Sequence, residues 1–195
     1  MGRLPIFSKR PLILVSKSPR RRQLLQEAGF VFSVRPLEVD EDFPADMPVE
    51  EVAEHLAQRK ANAGRHFIEQ KEIVISADSV VIRDGRIYNK PENYEEAVHM
   101  LRQLSGARHT VITGVCLLAA ERRCSFSERS EVFFEPLTDE EIDFYIQNYQ
   151  PFDKAGAYGV QDWIGLCKIR RIEGSYANVM GLPVHRVYAE LMAFE

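Results

Sequence analysis

The sequence holds 195 residues, 45% of them hydrophobic and 28% charged, with a formal net charge of −4. That length suits a single domain, residues 1–195, able to bury one sizeable core, and the composition lies far from disordered or fibrous classes. An acidic total gives no reason to expect a nucleic-acid partner, no run approaches the roughly 20 apolar residues of a membrane span, and no secretory leader is evident, so a cytoplasmic chain is expected.

Leu12–Val15 has the length of a buried strand, and a helix is expected after it, with Ser18 as N-cap, Pro19 at the first position and Gly29 just past the end. Residues 30–34 read as a second strand. From Pro48 onward Val49, Val52, Ala53, Leu56, Ala57, Lys60 and Ala61 fall on one helical stripe, so a lysine interrupts an apolar face. Ile73–Ala77 reads as a strand ending at Asp78, followed by a hairpin that Asp84-Gly85 closes. Asn93 opens a helix using Ala97, Met100, Leu101 and Leu104; residues 109–119 and 124–134 read as two long strands. Thr138 and Glu141 have capping-box spacing for a further helix, residues 151–165 a glycine-containing loop, 166–172 a strand and 183–194 a closing helix. Interleaved strands and helices predict a mixed α/β fold. Cys116, Cys124 and Cys167 are scattered, without the spacing of a zinc site or disulfide framework.

Charge is unevenly spread: residues 1–30 hold seven Lys or Arg against one acid, whereas residues 38–54 hold eight Asp or Glu and no Lys or Arg. Folded together, the basic stretch would meet phosphates and the acidic one a divalent metal; two solvated faces are the plain alternative. Ser16, Ser18, Arg20 and Arg21 stand where a strand delivers hydroxyls and cations to a helix N-terminus, which favours anions. An N-capped helix with a basic first turn is the competing reading, although positive charge is unfavourable there. Asp78 is a carboxylate placed to hold metal or orient water, or else a turn residue. Lys60 requires a partner or snorkels to the helix edge, and Lys90 is held in extended geometry by Pro91. In residues 152–161 small residues permit close approach to a ligand, Lys154 adds charge, and the Gln161 amide offers an acceptor beside donors, matching a uracil or thymine edge.

Together these segments resemble the Maf family of nucleotide pyrophosphatases, from about Leu12 to about Phe194. The resemblance is carried by Ser16-Lys17-Ser18-Pro19-Arg20-Arg21, Leu56-Ala57-Gln58-Arg59-Lys60-Ala61, Ala77-Asp78-Ser79-Val80-Val81, Lys90-Pro91, Leu104-Ser105-Gly106 with His109, residues 153–161, and Gly174-Ser175-Tyr176 with Asn178-Val179 and Gly181-Leu182-Pro183. It implies a fold of the Maf and inosine-triphosphatase type, a mixed sheet with flanking helices in two lobes around a central cleft, a homodimer, and dependence on Mg²⁺ or Mn²⁺. The position of Asp78 matches the family's proton acceptor, and those of Arg20, Ser79 and Gln161 match residues that influence base choice. Residues 153–161 resemble the branch acting on dTTP and UTP; the alternatives are 7-methyl-GTP or another modified nucleotide, or a nucleotide-binding regulator of septum formation. Val15, Lys17, Ser76 and the pair Asp162-Trp163 depart from the family pattern.

The expected chemistry is hydrolysis of a nucleoside triphosphate to its monophosphate and pyrophosphate, a step that clears unwanted nucleotides from the pool. Arg20, Arg21, Lys60 and Lys90 would hold the triphosphate, Glu41 and Asp78 the cation and attacking water, and Gln161 with Ser79 would select the base.

Overall fold

Residues 10–194 are described by the computed structural model. The first strand, β1 (Leu12–Leu14), is wholly buried. It feeds α1 (Pro19–Glu27), whose N-cap Ser18 accepts a hydrogen bond from the Arg21 amide at 3.4 Å. Gly29, at φ +81°, turns the chain back, and β2 (Phe32–Val34) then pairs parallel to β1 with Leu12 opposite Phe32.

The second helix, α2 (Val52–Ala63), begins later than the stripe from Pro48 predicts, but it buries the expected Val52, Ala53, Leu56, Ala57 and Ala61. Gly114 explains how closely it lies on the sheet, because a Cβ there would come 2.3 Å from the Ala53 and Glu54 backbone. Behind α2, Ile13, Val15, Val74, Cys116 and Leu118 close a small core with Ala57 and Ala61.

Strand β3 (Ile73–Arg83) corrects the sequence reading, since it runs through Asp78 instead of ending there. Its polar positions have partners, so nothing forces the ladder to stop: the Ser76 hydroxyl donates to the Ala57 carbonyl at 2.7 Å, and Asp78 accepts from Lys60. The expected hairpin to β4 (Arg86–Tyr88) is present, and Asp84 (φ +51°) and Gly85 (φ +72°) give the turn its left-handed pair. Helix α3 (Tyr94–Leu104) follows, capped by Asn93, and then the long strands β5 (Arg108–Leu118) and β6 (Arg123–Phe134). The capping box of Thr138 and Glu141 starts α4 (Asp139–Tyr149).

Residues 166–172 are a second correction. Leu166 and Cys167 belong to a short helix, α5 (Trp163–Cys167), and strand β7 begins at Ile169 and ends at Glu173. Gly165 permits that turn, because a Cβ on it would lie 1.8 Å from the Val160 carbonyl oxygen. Two helices complete the chain, α6 (Tyr176–Met180), which the sequence reading missed, and α7 (Val184–Met192).

The seven strands form one sheet in the order β2-β1-β3-β5-β6-β7, with β4 beside β3. Parallel pairing of β1 with β2 and β3 and antiparallel pairing of β6 with β7 make it mixed, as expected for the α/β class. The described residues fall into two compact units. The first holds 10–78, 113–128 and 181–194, with its core under α2; the second holds 79–112 and 129–180, with a core of Leu101, Leu104, Phe134, Ile142, Tyr145 and Ile164 among others. Strands β3, β5 and β6 each contribute residues to both.

Candidate active site

In the first unit, four charged side chains from distant parts of the chain meet. Lys60, in the last turn of α2, donates to the Glu41 carboxylate at 2.6 Å and also to Asp78 on β3. Both the Lys60 and Asp78 side chains are largely covered, whereas Glu41 is exposed. The lysine that broke the apolar stripe is thus an ammonium held between two carboxylates, which offsets the cost of taking it out of water.

Arg21 joins this group from α1. Burial works against its charge, while Asp78 and Glu41 support it and the neighbouring Arg20 opposes it. Its Nε donates to the Gly181 carbonyl at 2.9 Å and an Nη reaches the Ser16 hydroxyl at 3.5 Å, so the guanidinium is turned inward and fixed. Ser16 also accepts from the Ser18 amide at 3.1 Å. The basic and acidic stretches therefore do come together, and Lys17 adds an exposed pair with Glu38 at 2.5 Å.

In the second unit Ser79 is half-buried directly after Asp78 on β3, and Lys90 is exposed ahead of the buried Pro91. The Asn89 carbonyl accepts from the Gly156 amide at 3.1 Å, tying the Lys90 segment to the glycine-containing loop. That loop is tightly built. Gly156 and Ala157 both have positive φ, at +70° and +57°, and a Cβ on Gly156 would crowd Val81 at 3.1 Å. Tyr158 is anchored by His109, whose Nε2 shares a 2.7 Å hydrogen bond with its hydroxyl. Burial, with the Arg83 charge as the lesser cause, pulls the His109 imidazole down to about 3 and keeps it neutral.

Gln161 ends the loop half-buried, and its amide donates to the Asp162 carboxylate at 3.0 Å. Asp162 also accepts from the Tyr145 hydroxyl at 2.8 Å and lies 4.0 Å from the Lys154 ammonium. Lys154 is itself buried and paired with Asp153 at 2.7 Å. Sequence reading missed the roles of Tyr145 and Asp162. A tyrosine on the buried stripe of α4, whose hydroxyl needs a partner, was the available signal.

Ser16, Ser18, Arg20, Arg21, Glu41, Lys60 and Asp78 thus share the first unit, and Ser79, Lys90, Lys154 and Gln161 the second. No group of three or more His, Cys, Asp or Glu side chains suited to a metal occurs among the described residues. Glu41 and Asp78 are nonetheless two hard oxygen donors converging on one cation, the Lys60 ammonium. Such a pair suits Mg²⁺ or Mn²⁺, which commonly take one or two carboxylates and complete their shell with water and phosphate oxygens.

Residues 11–194 match the family model described as Maf-like protein. The chain is 48% identical over 186 residues to a dTTP/UTP pyrophosphatase of Bacteroides thetaiotaomicron, covering 95% of this chain and 96% of the relative. A dTTP/UTP pyrophosphatase of Porphyromonas gingivalis is 47% identical over 191 residues, covering 96% of each. Among solved structures, the Staphylococcus aureus Ham1 protein superposes with a TM-score of 0.56 at 12% identity, covering 95% of this chain and 100% of that one, a likeness of fold.

Proposed function

The chain belongs to the Maf family, and from that premise we propose that it is a nucleoside triphosphate pyrophosphatase acting on dTTP and UTP. Water attacks the α-phosphorus, the bond from that phosphorus to the α–β bridging oxygen breaks, and nucleoside monophosphate and pyrophosphate leave. The observation that carries the proposal is the meeting of Lys60 with Glu41 and Asp78, a cation shared by two carboxylates beside the inward Arg21.

Asp78 accepts the proton from the attacking water, its position kept by Lys60. Arg20, Arg21, Lys60 and Lys90 bind the triphosphate, with Ser16, Ser18 and the N-terminal amides of α1 offering further donors. Their fixed charges stabilise the negative charge that develops on the departing pyrophosphate, the main catalytic lever in phosphoryl chemistry. Glu41 and Asp78 are the residues that would hold a divalent cation. When bound, it supplies charge neutralisation at the phosphate oxygens and lowers the pKa of coordinated water.

Gln161 reads the base, accepting from the imide N–H of uracil or thymine and donating to a flanking carbonyl, and Ser79 contributes to base choice. Removing such nucleotides from the pool is work for the cytoplasm, and none of the helices in the described residues is long and apolar enough to cross a membrane. The proposed assembly is a homodimer.

Pyrophosphate release measured over canonical and modified triphosphates, with Mg²⁺ and with Mn²⁺, tests the proposal. UTP and dTTP are expected to exceed ATP, GTP and 7-methyl-GTP in kcat/KM. Absence of release from every triphosphate with either metal would refute it.

A further inference from the structure

An amide reads a base in only one of two orientations, and the second unit holds the means of fixing which. Uracil and thymine present an imide N–H flanked by carbonyl oxygens, whereas cytosine presents a bare ring nitrogen beside an amino group. Facing the same amide, the two patterns are opposite in donors and acceptors. A glutamine turned one way pairs with uracil; turned over, it pairs with cytosine. Unrestrained, it accepts either at little cost.

Gln161 is not unrestrained. One hydrogen of its Nε2 goes to Asp162 Oδ1 at 3.0 Å. Its Oε1 is buried and has no hydrogen-bond partner among the described residues, an acceptor that costs stability unless a donor reaches it. Asp162 in turn is held on its other oxygen by the Tyr145 hydroxyl at 2.8 Å, with Lys154 at 4.0 Å. The Tyr145 oxygen itself accepts from the Gly159 amide at 2.9 Å, which orients its hydrogen toward Asp162. Gly159 makes room for this arrangement, since a Cβ on it would lie 2.5 Å from Asp162 Oδ2 and 2.6 Å from Gln161 Nε2.

A carboxylate accepts and never donates, so inverting the Gln161 amide would set its oxygen against Asp162, losing a charge-assisted hydrogen bond and adding repulsion. We propose that Asp162, braced by Tyr145 and Lys154, is a positioning residue that locks the Gln161 amide in the uracil-reading orientation and so favours uracil and thymine over cytosine nucleotides. It rests on Gln161 reading the base, as proposed above.

The sharpest test replaces Asp162 by its isosteric amide. In Asp162→Asn the Tyr145 hydrogen selects the side-chain oxygen, which leaves the new NH₂ group facing Gln161 and favours the inverted amide. Kinetics of pyrophosphate release from UTP and CTP by the full chain should then show the UTP/CTP ratio of kcat/KM falling by roughly tenfold or more. CTP itself should gain, mainly through KM, while the thermal midpoint stays close to wild type. Asp162→Ala, which removes the lock without reversing it, should lower the ratio by a smaller factor. That order of Asn beyond Ala is not expected of a residue that only props the loop. If Asp162→Asn fails to fold, the ratio in Asp162→Ala decides alone.

Gln161→Ala separates the two levels of the proposal. A wild-type ratio in both Asp162 variants, with an altered ratio in Gln161→Ala, would overturn the lock and leave base reading by Gln161 intact. A wild-type ratio in Gln161→Ala as well would overturn both.

Discussion

Lys60 shows why a polar residue on an apolar stripe is informative. The helix around it buries Val52, Ala53, Leu56, Ala57 and Ala61, and an ammonium among them is tolerated because Glu41 and Asp78 meet it. His109 is the contrasting buried base, a group with no charge to contribute. Its folded pKa lies near 3 against an ordinary 6.5, so between those values the unfolded chain binds the proton and the folded chain does not. Stability from this residue is therefore complete above about pH 6.5 and drains away as the pH falls toward 3. Urea denaturation at pH 7 and pH 5 should show wild type losing about 2 kcal/mol more than His109→Gln over that interval. Equal losses in the two proteins would mean that His109 is not held neutral.

At the scale of elements, the approach of α2 to the sheet sets where Lys60 stands, and Gly114 permits that approach. Gly114→Ala should destabilise the fold by about 3 kcal/mol, since the intruding methyl meets backbone that cannot rotate aside, and denaturant titration reads this directly. An unchanged midpoint would show that α2 can shift at no cost. Elements with strong periodicity or caps were legible in the sequence: α1 from Ser18 and Pro19, α4 from Thr138 and Glu141, and the β3–β4 hairpin from Asp84-Gly85. Those that depend on tertiary partners were not. The continuation of β3 through Asp78 needs Lys60 and the Ala57 carbonyl, which no local pattern reveals. Helix α5 hides in an apolar run of strand length, and its turn depends on contact between Gly165 and the Val160 carbonyl. The candidate site divides similarly. Asp78, Lys60 and Gln161 stood out by residue type and position, whereas Tyr145 and Asp162 acquire their roles only through hydrogen bonds across α4 and the loop.

For the whole molecule, a mixed sheet carried through β3, β5 and β6 supplies residues to two units, each with its own core and its own share of polar machinery. In the proposed mechanism the first unit contributes Arg20, Arg21, Glu41, Lys60 and Asp78 to phosphate chemistry, and the second contributes Lys90 to the triphosphate and Gln161 to base selection. Membership of the Maf family gives that division its chemical sense, because a pyrophosphatase must hold a triphosphate and also choose among bases. Asp78 is the proposed activator of water, and pyrophosphate release from UTP by wild type and Asp78→Asn puts that role to the test. A fall of at least about a hundredfold in kcat, the scale of losing a general base, with a near-wild-type unfolding midpoint, is the predicted result. Release at close to the wild-type rate by a folded Asp78→Asn would show that Asp78 is not the base.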